Sequence, residues 1–252
     1  MPEPSPGDRA LRALADAVGE SRPRRAGDAT DPDVPVAATV VILRDTGGGP
    51  EVLMIERPDR GSFAGAWVFP GGKLEPADGD PLDEFGAARR AAARETWEET
   101  GLRLDAASLA PLSCWDPPPG LALRIRTWFF LATDPGGAQT LAPDEVIAAR
   151  WVRPAVMLER HARGEVTLYP PTWVTLHELA PQSDAAAMLA DARVGGVRRY
   201  ESVARRGAAG PMLLWQGDAE YEETDDRSGR LDPASRHRLE MAALPWVYTR
   251  TG

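Results

Sequence analysis

Short apolar blocks separated by Gly, Pro and Asp fill the middle of the chain and predict a sheet framed by helices. Val36 to Leu43, rich in Val and Ala, predicts a strand, Asp45 to Pro50 a Gly-rich turn, and Glu51 to Glu56 the returning strand of a hairpin. Trp67 to Phe69 predicts a short strand that ends where Pro70-Gly71-Gly72 supplies a sharp turn. The spacing of Ala87, Ala88, Ala91, Ala92 and Ala93 changes to that of a helix packed closely on a sheet, and Gly101 stops it. Its start is open: Asp80 can cap it with Pro81 in first position, or it begins after Gly86 and leaves residues 73–85 as a loop. Arg124 to Ala132 and Val146 to Val152 predict two further strands through their β-branched and aromatic residues. Pro154 to His161 and Thr172 to Ala190 predict helices, the second capped by Thr172 and interrupted by Pro181. Pro211 to Trp215 and the segment around Trp246-Val247-Tyr248 predict short strands either side of the acidic, turn-rich run Asp218 to Asp232. Residues 1–33 hold Pro, Gly, Asp and Arg around one helical pattern, Ala10 to Val18, and are expected to be flexible. A central domain over 34–180 and a C-terminal extension over 181–252 complete the expected organisation.

One polar pattern carries chemistry. Glu95, Glu98 and Glu99 stand at i, i+3 and i+4, so on a helix all three carboxylates leave one face within a turn of one another. Like charges that close repel, and Glu98 and Glu99 also lie near the negative end of the helix dipole. A hard divalent cation answers that repulsion. The absence of neighbouring His or Cys favours Mg2+ or Mn2+ over zinc. The bland alternative is a solvated acidic helix face supported by Arg, and the adjoining Gly71-Gly72 pair, Arg94 and Gly101 count against it. The glycines are not a P-loop, since no Gly-Lys-Ser/Thr arrangement follows them.

Gly72-Lys73-Leu74-Glu75 followed by Arg94-Glu95-Thr96-Trp97-Glu98-Glu99-Thr100-Gly101-Leu102 resembles the Nudix box of hydrolases acting on nucleoside diphosphates linked to another group. The second half matches closely, with Thr96 in place of an aliphatic residue. The first half departs from it. Six residues after Gly72 stands Asp78, where the family has Glu, and Arg94 lies sixteen residues further on instead of eight, as an eight-residue insertion would produce. The first acidic residue of the box is therefore Glu75, Asp78, Asp80, Asp83 or Glu84. The Pro-Gly-Gly turn, Arg124-Ile125-Arg126-Thr127-Trp128-Phe129-Phe130-Leu131-Ala132 and Tyr169-Pro170-Pro171-Thr172-Trp173 are similar to the large branch related to the peroxisomal coenzyme A diphosphatases.

The resemblance implies an α+β fold, a mixed β-sheet sandwiched between helices, with a C-terminal elaboration that covers the substrate entrance or forms a homodimer. It implies metal-dependent hydrolysis of a nucleoside diphosphate linked to another moiety, coenzyme A or an acyl derivative. ADP-ribose or NADH diphosphatase activity, and a nucleotide-binding module without turnover, are the alternatives. Glu95, Glu98, Glu99 and the Gly72 carbonyl are the expected metal ligands, and Glu98, Glu145 and Arg94 the residues serving catalysis. Arg94 supports the acidic cluster, and Glu145, with Asp144 as competitor, is the expected base. Arg57, Arg124 and Arg126 are the expected phosphate contacts, the last two sharing a strand face. Trp128, Phe129 and Phe130 offer either a wall for a base or ordinary core.

Composition restricts the partners. With 43% hydrophobic and 27% charged residues and no apolar run of membrane-spanning length, a globular protein without a membrane role is expected. A formal net charge of −9 opposes capture of nucleic acid, while local arginines and a metal still admit a small phosphorylated ligand. Cys114 is the single cysteine, so no internal disulfide forms. With no apolar leader at the start, this predicts a reducing cytoplasm. Cys114, His161, His177 and His237 are expected to serve packing or surface.

Overall fold

A computed structural model describes residues 16, 18–61, 63–121, 124–222 and 232–251. Twelve strands and four α-helices follow one another among them. The order is β1 (Val36–Thr46), β2 (Gly49–Glu56), β3 (Trp67–Val68), β4 (Gly71–Lys73), α1 (Glu84–Thr100), β5 (Ala110–Asp116), β6 (Arg126–Thr133) and β7 (Ala148–Val152). Then come α2 (Pro154–Ala162), α3 (Pro170–Leu179), α4 (Ala185–Gly195), β8 (Arg198–Glu201), β9 (Val203–Arg206), β10 (Pro211–Leu214), β11 (His237–Glu240) and β12 (Val247–Arg250).

The main sheet runs β3-β2-β1-β6-β5-β8, with β4 also on β1 and β7 also on β2. It is mixed: β1 and β6 are parallel, as are β5 and β8, while the hairpin pairs are antiparallel. Strand alternation divides its residues between two buried faces. Val40, Ile42, Trp128 and Phe130 pack with Ala88, Ala91 and Ala92 of α1, whose small side chains let the helix lie close to the sheet. Val41, Leu43, Phe129 and Leu131 pack on the opposite face with Trp173 and Val174 of α3 and Met188 and Leu189 of α4. The result is the expected mixed sheet between helices, elaborated at its C-terminal end by the antiparallel sheet β12-β11-β10-β9.

Several boundaries differ from the sequence expectation. The insertion before the signature helix forms two 3-10 turns, Pro76–Asp78 and Pro81–Asp83, and α1 begins at Glu84 because Asp83 accepts the Gly86 N–H. Gly86 therefore lies inside the first turn of α1. Gly101 ends the helix at φ 73°, donating its N–H to the Trp97 carbonyl. β5 escapes the sequence reading because Pro111 interrupts its pattern. Pro111 sits at a register shift on β6, a position where a missing N–H is tolerated. Thr172 is not an N-cap: the helix starts two residues earlier, with Tyr169 in the capping position and Pro170 and Pro171 in its first turn. Residues 180–184 separate α3 from α4 around Pro181.

Most of the helical pattern Ala10 to Val18, and residues 223–231 of the acidic run, lie outside the described residues. Residues 18–33 run along the body: Arg22 donates its N–H to the Pro119 carbonyl, and Arg24 donates to the carbonyls of Pro117 and Ser202. Among the described residues no helix is long and apolar enough to cross a membrane.

Candidate active site

The site is assembled where three chain segments meet beside the C-terminal half of α1. The Pro70-Gly71-Gly72 turn crosses it first. Gly71 has φ 152°, and a side chain there would strike the Ala38 carbonyl at 2.3 Å. A Cβ on Gly72 would lie 2.3 Å from the Glu95 carboxyl carbon, so a side chain there would displace that carboxylate from its place beside the turn.

Glu99 is fully buried, accepts the Gly71 N–H at 2.8 Å, and pairs with Arg57 Nη1 at 2.7 Å. Burial outweighs those two partners and pushes its carboxyl up to about 7. Glu95 is also raised, by burial first, with Arg94 opposing. The third carboxylate arrives from a distant loop. The Thr140 N–H binds the Thr100 carbonyl and the Ala142 N–H binds the Glu99 carbonyl, tying residues 140–142 to the end of α1 and setting exposed Glu145 beside the cluster. Oxygens of Glu95, Glu99 and Glu145 all lie within 4.8 Å of one another. Hard oxygen donors in that arrangement are compatible with a divalent cation.

Glu98 stands apart from that trio, 44% exposed at its side chain and 2.8 Å from Arg94 Nη1. Arg94 is the hub of the signature helix. It pairs bidentately with Asp78 at 2.9 and 3.0 Å, and its Nη1 reaches Glu95 at 3.0 Å. Burial opposes charge on Asp78, but Arg94 and the Glu75 N–H together hold its carboxyl below the usual range. Among the five acids left open by the sequence, Asp78 alone makes this contact. Glu75 closes a capping box on the first 3-10 turn, Asp80 accepts the Leu82 N–H, Asp83 caps α1, and Glu84 accepts from Arg126 and Trp128.

Of the three arginines expected to contact phosphate, Arg57 lines the cleft and the other two are engaged elsewhere. Arg126 is 4% exposed and locked between Asp116 at 3.0 Å and Glu84 at 2.9 Å. Arg124 pairs with Asp31 at 3.1 Å. Neither lines the cleft of about 530 Å³ that holds Glu95 and Glu145, whereas Arg57, Arg60 and Lys73 do. Arg60 and Lys73 escaped the sequence reading. Lys73 is visible in it only as the residue after the glycine pair, and Arg60 only as a second cation in the β2–β3 connection. Of the three aromatics, Phe129 lines the cleft, while Trp128 and Phe130 pack against Phe85 on the α1 side.

Asp144 points its carboxylate toward Arg60 at 3.9 Å and is not part of the trio. Cys114 is buried, and burial pushes its thiol up to about 12, which leaves it inert. No histidine joins the cluster: His161 packs edge-on to Trp246, His177 stacks on Trp173, and His237 bonds Gln216 and Tyr248.

Comparison with known proteins agrees with this geometry. The family model described as NUDIX domain matches residues 34–171, more than half of the chain. A MutT-like protein of Streptomyces ambofaciens is 32% identical over 136 residues, covering 54% of this chain and 75% of that protein. A NUDIX hydrolase from Alicyclobacillus acidocaldarius superposes with a TM-score of 0.57 at 26% identity, over 63% of this chain and 96% of the other. A MutT NUDIX hydrolase from Burkholderia pseudomallei is 24% identical with a TM-score of 0.44, covering 58% and 98%. The signature helix, its glycine turn and its converging carboxylates lie within the matched span, and the chain belongs to the Nudix family of hydrolases, which cleave nucleoside diphosphates linked to a further moiety.

Proposed function

We infer that the protein hydrolyses the diphosphate of a coenzyme A-type substrate with Mg2+ or Mn2+, Glu95, Glu99 and the Gly72 carbonyl holding the cation. The observation that carries this reading is the convergence of the Glu95, Glu99 and Glu145 oxygens within 4.8 Å, beside a backbone turn that admits no side chain. Two guanidiniums reach these three carboxylates, Arg57 on Glu99 and Arg94 on Glu95, and Arg94 is shared with Asp78 and Glu98, so an excess of negative charge remains that a divalent cation relieves. A cation bound there supplies neutralisation of the diphosphate oxygens and a more acidic attacking water.

The remaining work falls to side chains. Glu145, exposed on its loop, takes the proton from the attacking water. Arg57 fixes the buried Glu99, and Arg94 positions Glu95 while holding Glu98 in reserve as a further ligand on the same helix face. Arg60 and Lys73 face the substrate charge from the cleft walls. The preference for coenzyme A rests on the resemblance of the Tyr169-Pro170-Pro171-Thr172-Trp173 segment, of which Tyr169, Pro171 and Thr172 border the cleft. Arg124 and Arg126 lie outside the cleft lining, engaged by Asp31, Asp116 and Glu84.

The test compares purified protein on coenzyme A, NADH and ADP-ribose at equal concentration with Mg2+, identifying both products by mass spectrometry. Coenzyme A should have the highest kcat/KM and yield 3′-phosphoadenosine 5′-phosphate and a phosphopantetheine product. A higher kcat/KM for NADH or ADP-ribose sinks the substrate assignment and leaves the hydrolase intact. Binding without any phosphate product would sink both.

A further inference from the structure

A second cavity of about 440 Å³ adjoins the acidic cleft, and Phe63, Ile125, Thr127, Tyr169 and Pro171 line both. The two spaces differ in chemistry. The cleft carries Arg57, Arg60 and Lys73 with Glu95 and Glu145, as a metal-bound diphosphate requires. The chamber has no Lys, Arg or His among its described lining residues. Trp115, Ala204, Met212, Leu213 and Met241, all buried, form its apolar side; of the acids that also line it, Asp116 is committed to Arg126, and Asp16 and Glu20 are exposed to solvent. A phosphate entering there would find acids and no cation, whereas a neutral apolar chain would find aromatic and thioether surface.

The partition between the spaces is itself unusual. Phe63 holds φ 60°, in the left-handed region a bulky side chain avoids, in a connection that also contains Gly61 at φ 70° and Gly65 at φ 66°. That backbone sets its ring edge-on to Tyr169 at 4.7 Å, where the cleft meets the chamber. The far wall comes from the elaboration: Ala204 on β9, Met212 and Leu213 on β10, and Met241 after β11. Trp115 is fixed against Tyr200 at a ring separation of 3.8 Å, so the chamber is framed by packed aromatics.

We propose that this chamber receives a neutral apolar chain carried on the substrate, so that the enzyme selects nucleoside diphosphates bearing a long uncharged arm over those ending in a sugar or a second nucleotide. The proposal rests on the hydrolase reading of the adjoining cleft and adds to it a specificity surface built by the C-terminal sheet. Two sources supply such an arm: an acyl group at the end of a long spacer, as in an acyl thioester of coenzyme A, or an alkyl chain esterified directly to the diphosphate.

Two series of probes distinguish them, each used below its aggregation concentration: acetyl-, hexanoyl- and decanoyl-coenzyme A, and the methyl, hexyl and decyl esters of ADP. In at least one series kcat/KM with Mg2+ should rise by about four-fold per methylene until the chamber fills, then level off. The series that responds identifies the spacer. Ala204→Leu should lower the decanoyl-to-acetyl or decyl-to-methyl ratio at least ten-fold, and Met241→Ala, a second variant in case the first does not fold, should extend the rise to longer chains. Binding of the same series in EDTA, followed by tryptophan fluorescence, separates the two readings. Chain-length-dependent binding without turnover on adding Mg2+ would refute the hydrolase reading and keep the chamber. Turnover and binding that ignore chain length in both series would refute the chamber and keep the hydrolase.

Discussion

Two clusters of Arg and carboxylate flank the same sheet, and they differ in exposure and in how many carboxylates each guanidinium must serve. At the end of α1, Arg57 and Arg94 face Asp78, Glu95, Glu98 and Glu99, with Glu145 added from a loop, and the cluster opens into a cleft. On β6, Arg126 is enclosed by Asp116 and Glu84, and Glu84 also accepts the Trp128 indole N–H at 2.8 Å. The first cluster keeps surplus negative charge beside an open cleft, which favours a cation. In the second, both carboxylates are paired directly with Arg126, which favours rigidity over the binding of a cation. The sequence shows both as charged residues near strands and helices. Accessibility and charge balance decide which of them does chemistry.

Four measurements would break or sharpen that contrast. Glu99→Gln removes a charge that the first cluster uses, and kcat/KM should fall on the order of a thousand-fold, equivalent to about 4 kcal/mol of transition-state stabilisation. Equilibrium unfolding should show the folded state no less stable, since an expensive buried charge has gone. Retained metal-dependent turnover would remove Glu99 from the site. Arg126→Ala should do the reverse. It strands Asp116 and Glu84 and should cost about 3 kcal/mol in denaturant unfolding, with kcat of the folded fraction within about three-fold of the parent. A large loss of kcat at unchanged stability would restore Arg126 as a substrate contact.

Glu98→Gln probes the boundary between the two behaviours, because Glu98 is exposed and attached to Arg94. As a further ligand it should cost between about ten- and a hundred-fold in metal affinity or activity. An unchanged Mg2+ titration would leave it a surface residue. The smallest effect is in pH. The buried Glu99 carboxyl, pushed up to about 7, contributes stability that is present in acid and lost as pH rises through that value. The metal-free protein should therefore lose Tm as pH rises from about 4.5 to about 7 and change little above that, and Mg2+ should restore more at pH 8. Competition with one proton should weaken Mg2+ binding about ten-fold at pH 6 relative to pH 8. An Mg2+-induced Tm shift independent of pH would contradict the buried-carboxylate account.

The signature helix was legible because its information is local. Glu95, Glu98 and Glu99 share a face by helical period, Gly101 must adopt the left-handed conformation that ends the helix, and Gly71-Gly72 must turn sharply, all within spans of a few residues. The same holds for β1 and β2, whose apolar runs and Gly-rich turn sit next to each other in the chain. β5, β8 and β11 were not legible, because Pro111 and the polar runs Arg198–Glu201 and His237–Glu240 acquire strand character only from the neighbours they pair with.

What the sequence by itself determined is therefore the family, the fold class and the acidic signature helix. Tertiary structure decided the rest. It chose Asp78 among five acids as the partner of Arg94, sixteen residues away, and brought Arg57 to Glu99 across forty-two. It carried Glu145 into the cluster through backbone bonds from residues 140–142 to the end of α1. It also turned Arg126 inward onto Asp116 and lined one side of the second cavity with β9 and β10. The physical reason is range. Periodicity and turn chemistry act over one or two turns of chain, whereas burial, ion pairing and cavity shape depend on which distant segments the packed sheet brings within a few ångströms.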